Sequence, residues 1–143
     1  TFSKAWGAAG IRLGMAFAST EIIGLFNKVK YPYNVNVLTQ KKAMEILGNV
    51  TLLQRHITMI LEEREMLMKS VALLPICKKV YPTDANFILV KVTDADSIYQ
   101  HLVSKGVIVR NRNRVHLCGD CLRLRVGTKD ENTKLLSALR QYV

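Results

Sequence analysis

Lys4 is the first residue with a reason to be singled out. It stands in Thr1-Phe2-Ser3-Lys4-Ala5, and Arg12 follows eight residues later within Gly10-Ile11-Arg12-Leu13-Gly14. A lysine amine that is free of its proton and held in place forms an imine with an aldehyde, so this residue type can act as a covalent catalyst as well as a charge. Taken alone, Ser3-Lys4-Ala5 also describes an ordinary solvated lysine, and Arg12 an ordinary ion-pair partner.

A second group of candidates lies later in the sequence. Between Lys105 and Lys129, seven basic residues stand against one acid, Asp120. A local positive field of this kind suits a phosphate of any size. If residues 122–126 form a strand, Arg123 and Arg125 share one face, and Leu122, Leu124 and Val126 take the other. Cys118-Gly119-Asp120-Cys121 has the spacing of zinc and redox sites. Only one further cysteine exists, Cys77, and His116 is the only histidine at a partnering interval, so no metal site is expected. A thioredoxin-like pair would open a helix after a strand, which the local pattern does not offer. His56 and His101 fall in helical patterns without the Ser or Asp of a triad.

The elements that position these residues follow from patterning. Glycines and small residues through Gly14 argue for close backbone approach, and the apolar run from Ile11 to Ala18 for a buried strand. Ser19-Thr20-Glu21 starts a helix, which Tyr31-Pro32-Tyr33-Asn34-Val35-Asn36 breaks. That loop either lines a pocket or is a turn with two partly buried tyrosines. Residues 37–47 resume a helix that Gly48-Asn49 ends. A longer helix from Thr51 to Leu74 carries an apolar stripe of Leu53, Ile57, Ile60, Leu61, Leu67, Met68, Val71 and Leu74, and Pro75 stops it. Its methionines, Met59, Met66 and Met68, read as core packing.

After Pro75 short strands alternate with helices. Strands are expected at Cys77–Tyr81, Asn86–Val92, Val107–Arg110 and Leu122–Val126, and a helix at Asp96–Lys105 closed by Gly106. A final helix has Thr128 as N-cap, Glu131 at the capping-box position, and an apolar face of Leu135, Leu136 and Leu139. Strands with helices packed over them make an α+β unit.

With these residues in view, the stretch Thr1-x-Ser3-Lys4-Ala5-x-x-x-x-Gly10-x-Arg12-x-Gly14 resembles the cofactor-lysine segment of fold-type I pyridoxal-phosphate aminotransferases. The Tyr31–Asn36 loop narrows the resemblance to histidinol-phosphate aminotransferases. Later landmarks are Glu63-Arg64-Glu65, Ala85-Asn86-Phe87, Ile108-Val109-Arg110 and Cys121-Leu122-Arg123-Leu124-Arg125-Val126-Gly127-Thr128. The resemblance implies an α/β and α+β chain. Residues 1–49 would end the large cofactor-binding domain, 50–74 would be a connecting helix, and 75–143 a small C-terminal α+β domain. It implies pyridoxal 5'-phosphate as cofactor, carried by Lys4, with Thr1, Ser3 and Arg12 as phosphate ligands. Arg123 would hold the substrate's carboxylate or phosphate, and Arg110 would assist it. Arg125 stands where a small polar residue is common in the family, and the resemblance gives it no role. A related aminotransferase, or a decarboxylase of a phosphorylated hydroxy amino acid, shares the same fold.

The composition agrees with a globular protein: 49% of residues are apolar. No apolar run approaches the ~18 residues a membrane span needs. Three cysteines cannot all pair within one chain, which favours a reducing cytoplasm. The opening residues lack an initiator Met and a signal pattern, so a piece of a longer polypeptide is expected. Family members are homodimers, and the residues around the cofactor ring precede the lysine in them, so this stretch alone is expected to be inactive. Small-molecule amino donors and acceptors are the expected partners, without nucleic acid or membrane. The net charge of +10 raises a rival, a basic nucleic-acid-binding module on residues 75–143. Against it, only Phe87 on an expected strand and Tyr81 at a strand edge could stack on bases. A non-catalytic remnant that keeps the fold is a third reading.

Overall fold

The computed structural model describes residues 1–142, which divide into two compact units, 1–57 and 58–142. The first unit begins with an irregular segment containing a 3₁₀ turn at Ala9–Ile11 and continues into helices α1 (Thr20–Val29) and α2 (Val37–Leu47). Helix α3 (Val50–Ala72) runs across the division. The Ser19 hydroxyl accepts the Ile22 N–H at 3.4 Å, and Asn36 Oδ1 accepts the Thr39 N–H at 2.9 Å. Each cap satisfies a donor that the first helical turn leaves free.

Three expectations for this unit need correction. The run Ile11–Ala18 is not a buried strand: Ile11 closes the 3₁₀ turn, and Met15 and Phe17 are 54% and 89% exposed. A strand needs a neighbour to take its backbone hydrogen bonds, and among the described residues of this unit none runs beside it. Close backbone approach does not explain Gly7 or Gly10, where a Cβ would meet nothing within 4 Å, although one at Gly14 would lie 4.0 Å from Thr1 Cβ. Gly7 is instead needed for its φ of +62°, which bends the chain after Lys4. Tyr31 and Tyr33 are 83% and 95% exposed, so the loop they flank buries neither.

The second unit is built on a four-stranded antiparallel sheet in the order β1-β2-β4-β3. The strands are β1 (Cys77–Val80), β2 (Phe87–Val92), β3 (Arg110–Asn111) and β4 (Cys121–Arg125). Helix α4 (Ala95–Ser104) follows β2, and α5 (Lys129–Arg140) follows β4. One face of the sheet, with Ile88, Val90, Val92, Leu122 and Leu124, packs into a core with Leu67 and Val71 of α3, Ile98 and Leu102 of α4, and Leu135, Leu136 and Leu139 of α5. Period-two alternation along β2 and β4 places the intervening residues on the opposite face. In α3 the burial is narrower than the stripe implied: Leu61 is 44% exposed, and the fully buried positions are Leu67 and Val71. Val107–Arg110 does not form the expected strand, since pairing with β4 begins only at Arg110.

Candidate active site

In the first unit the residues around Lys4 fold into one compact turn. Phe2 is buried and lies 5.9 Å from Trp6 by ring centroids. Its N–H donates to Leu13 O at 3.2 Å, its carbonyl accepts the Ala8 N–H at 3.0 Å, and Gly7 N–H donates to Lys4 O at 2.9 Å. These bonds bring the start of the segment beside residues 12–14. The Thr1 and Ser3 hydroxyl oxygens are 2.9 Å apart, and Thr1 Oγ1 also donates to Leu13 O at 3.3 Å. Arg12 adopts a left-handed φ of +52°, and its Nη1 donates to Ala9 O at 3.3 Å. From α2, whose Ala43 is buried, Thr39 Oγ1 donates to Ile11 O at 3.3 Å and ties down the other end of the turn. Two hydroxyls are thus adjacent, one guanidinium is anchored by a single N–H, and the Lys4 side chain is exposed.

In the second unit Arg110 and Arg123 are direct cross-strand partners. Opposed residues of an antiparallel pair share a face, so the two guanidinium groups project from the same side of the sheet. Arg125 is on that side as well, opposite Phe87, and Lys91 and Lys79 continue it. This is the solvent face of a sheet whose other face is the core. Among the described residues of the unit no carboxylate lies within ion-pairing distance of any of these five cations. Aromatic rings serve instead: Arg123 Cζ sits 4.9 Å from the Phe87 ring centroid, and Lys79 Nζ 4.9 Å from that of Tyr81. Both rings a nucleic-acid reader would need for base stacking are therefore engaged by the chain's own cations.

The segment between β3 and β4 is tied to the start of α4. Asn111 Nδ2 and Asn113 Nδ2 donate to the two carboxylate oxygens of Asp96, at 2.6 and 2.9 Å, and Asn113 Oδ1 accepts the Asp120 N–H at 2.9 Å. This network fixes the entry to β4 and hence the height of Arg123 on the sheet. Sequence reading passed over it, as it passed over Asn132. That residue is 1% exposed; its Oδ1 accepts the Gly127 N–H at 3.0 Å, and its Nδ2 donates to Gly127 O at 3.1 Å and Glu63 Oε2 at 2.8 Å. The signal was available. Asn132 begins the i, i+3, i+4, i+7 stripe completed by Leu135, Leu136 and Leu139, and a polar residue at a core position requires partners.

The remaining candidates have structural surroundings. Cys118 and Cys121 bracket a turn in which the Cys121 N–H donates to Cys118 O at 3.0 Å. Burial pushes the Cys121 thiol pKa up, the neighbouring Cys118 adds to this, and Lys91 opposes it; burial likewise raises Cys77. Among the described residues no three His, Cys, Asp or Glu side chains are grouped to hold a metal ion. His101 bonds Ala138 O at 3.0 Å and meets Tyr142 edge-on, while His56 is exposed. No helix among the described residues is long and apolar enough to cross a membrane.

The chain belongs to the aminotransferase class I and II family, whose sequence model matches residues 1–139. It is 56% identical over 140 residues to the histidinol-phosphate aminotransferase of Parabacteroides distasonis, an alignment covering 98% of this chain and 41% of that protein. A solved structure of a candidate aminotransferase from Burkholderia pseudomallei superimposes with a TM-score of 0.91 at 28% identity, covering 99% of this chain and 43% of the other. The histidinol-phosphate aminotransferase of Clostridium acetobutylicum shares the fold, with a TM-score of 0.91 at 22% identity over 99% of this chain and 43% of its own. The expected resemblance and fold class are borne out. The chain spans about 41% of the length of the curated relatives it matches.

Proposed function

We propose that this chain carries the cofactor lysine and the substrate-anion arginines of a pyridoxal-phosphate-dependent aminotransferase that exchanges the amino group of histidinol phosphate with glutamate and 2-oxoglutarate in histidine biosynthesis. The observation that supports the reading is the turn that holds the Thr1 and Ser3 hydroxyls together and brings the backbone before Lys4 beside Leu13, next to Arg12, in a chain so similar to curated histidinol-phosphate aminotransferases. The donor set suits the group: two adjacent hydroxyls and a guanidinium for a phosphate dianion, and a primary amine for an aldehyde. Pyridoxal phosphate, when bound, supplies an electron-withdrawing ring that stabilises charge at the substrate's reacting carbon.

The chain's own residues do the rest. Thr1 Oγ1, Ser3 Oγ and the Arg12 N–H groups hold the phosphate, and Lys4 Nζ is the attachment point. With the cofactor bound and its own link to it released, Lys4 Nζ would carry the proton between the substrate's reacting carbon and the cofactor, a general acid–base role worth on the order of 10²–10⁴-fold. Arg123, assisted by Arg110, binds the substrate's anionic group. Residues 1–49 form the end of the large domain, 50–74 the connecting helix and 75–143 the small domain of a cytoplasmic homodimer. The three free thiols agree with a reducing compartment.

Borohydride reduction of the full-length polypeptide, followed by peptide mass spectrometry, tests the lysine. The expected result is a pyridoxyl adduct on Lys4 that is lost, with the visible absorbance of bound cofactor, in Lys4→Ala. An adduct on another lysine, or one that persists in Lys4→Ala, overturns the assignment.

A further inference from the structure

We infer that Phe87 is a positioning residue for the substrate-anion site: its ring holds the Arg123 guanidinium in place while leaving the N–H donors of that group free. The inference rests on the reading of Arg123 given above. Arg123 lies directly opposite both Leu89 of β2 and Arg110 of β3, so it occupies the middle of the sheet between an apolar neighbour and a like charge. Like charges directly opposite across strands repel, and Arg110 therefore drives the Arg123 head group away from its own edge. Phe87 lies diagonally across on β2, opposite Arg125, and receives Arg123 Cζ at 4.9 Å from its centroid. Among the described residues of this unit Arg123 has no hydrogen-bond acceptor and no carboxylate partner, so the ring is the contact that fixes the guanidinium.

The choice of a ring over a carboxylate has a chemical consequence. A carboxylate would occupy two N–H groups of the guanidinium fork and neutralise the charge that the substrate anion needs. A ring attracts the cation through its quadrupole and takes up no N–H donor. The Lys79–Tyr81 pair on the same face repeats the arrangement, so two cations of this surface are held without being neutralised. Phe87 also ends Ala85-Asn86-Phe87, a strand entry fixed from α3 by Arg64 Nη1 donating to Ala85 O at 3.2 Å. The backbone leading into Phe87 is thereby tied to α3.

The test is steady-state kinetics of the full-length polypeptide with histidinol phosphate and 2-oxoglutarate. Phe87→Leu is expected to raise KM for histidinol phosphate about tenfold with kcat within about twofold of the parent, as loss of a ground-state and transition-state contact requires. Phe87→Tyr, which keeps the ring, should stay within about twofold in both. Phe87→Met fills a similar volume without a ring and should match Phe87→Leu, which covers the case of an unstable leucine variant. In an Arg123→Gln background, adding Phe87→Leu should change KM no further, because the ring acts through Arg123. An unchanged KM in Phe87→Leu and Phe87→Met, failure of Phe87→Tyr to restore it, or an additive double variant overturns the inference while leaving Arg123 in its role. If Arg123→Gln itself leaves KM unchanged, or the parent does not turn over histidinol phosphate, the proposed function fails and this inference fails with it.

Discussion

Replacing Asn132 with alanine should loosen the whole second unit. The side chain makes three hydrogen bonds in a position 1% exposed: one accepted from Gly127 N–H, one given to Gly127 O, and one given to the Glu63 carboxylate. A bond to a charged acceptor contributes about 1.5–3 kcal/mol, and each neutral bond about 1 kcal/mol. Gly127 and Glu63 are only half-buried, so water recovers part of this when the amide is removed. The net cost of Asn132→Ala is therefore about 3 kcal/mol. Native-state amide exchange at Val90 and Leu124, both in the core of this unit, measures the loss without interference from residues 1–57. Exchange through unfolding should accelerate about a hundredfold, at about 1.4 kcal/mol per factor of ten. Asn132→Asp supplies the sign control: it keeps an acceptor for Gly127 N–H but faces Glu63 with a second carboxylate, so at pH 7 it should be worse than alanine and improve as the pH falls. A loss below about 1 kcal/mol for Asn132→Ala, or an aspartate variant no worse than alanine at pH 7, refutes the account of Asn132 as the tie between α3, α5 and the end of β4.

Gly127→Ala should destabilise by about 1–2 kcal/mol in the same exchange measurement, because a Cβ there would lie 2.6 Å from Glu131 Oε2 and 2.9 Å from Glu131 Cβ, displacing the side chain that completes the capping box. Asp94 caps α4, and its hydrogen bonds from the Ser97 hydroxyl and N–H hold its carboxyl pKa below the ordinary 3.8. Its contribution is complete above the unfolded carboxylate's pKa and is lost as pH falls through the lower folded value, so melting temperatures of the parent and Asp94→Ala should differ at pH 7 and converge in acid. Burial keeps the Cys77 and Cys121 thiols protonated beyond their ordinary range. Ellman's reagent at pH 8 should therefore label both more slowly than in the urea-unfolded chain, and the stability they confer should be complete below the unfolded thiol's pKa and be lost as pH rises from there through the raised folded value.

How far the sequence disclosed this molecule depended on the range of the interactions concerned. The α5 capping box was legible because Thr128 and Glu131 are three residues apart and bond each other's backbone. The faces of β4 were legible because alternation is a property of any strand, and Arg123 and Arg125 did fall opposite the buried leucines. The run Ile11–Ala18 misled for the same reason: apolar content favours a strand, but only a neighbouring strand makes one. Val107–Arg110 failed similarly, with pairing delayed until the Asp96 network delivers Asn111 to the edge of β4. Asn132 depends on Glu63, 69 residues away in sequence, and no local pattern specifies that distance.

The residues that carried the family resemblance separate physically into those that hold the scaffold and those left free for chemistry. Glu63 accepts from Asn132, and Arg64 donates to Ala85 O, so Glu63-Arg64-Glu65 and Ala85-Asn86-Phe87 are two ends of ties within one unit. Gly127 and Thr128 are bonded by Asn132 and Glu131 and so fix where β4 stops and α5 starts. Between these points Arg123 and Arg110 are placed by backbone pairing and yet matched with no acid among the described residues of their unit. A fold selected for stability alone would separate two opposed guanidinium groups or neutralise them, since their repulsion is unrelieved within the unit. Their pairing, with one of them against a ring, agrees with the proposed anion site: charge and donors are both kept, and the cost of assembling them is borne by the packed core on the other face of the sheet.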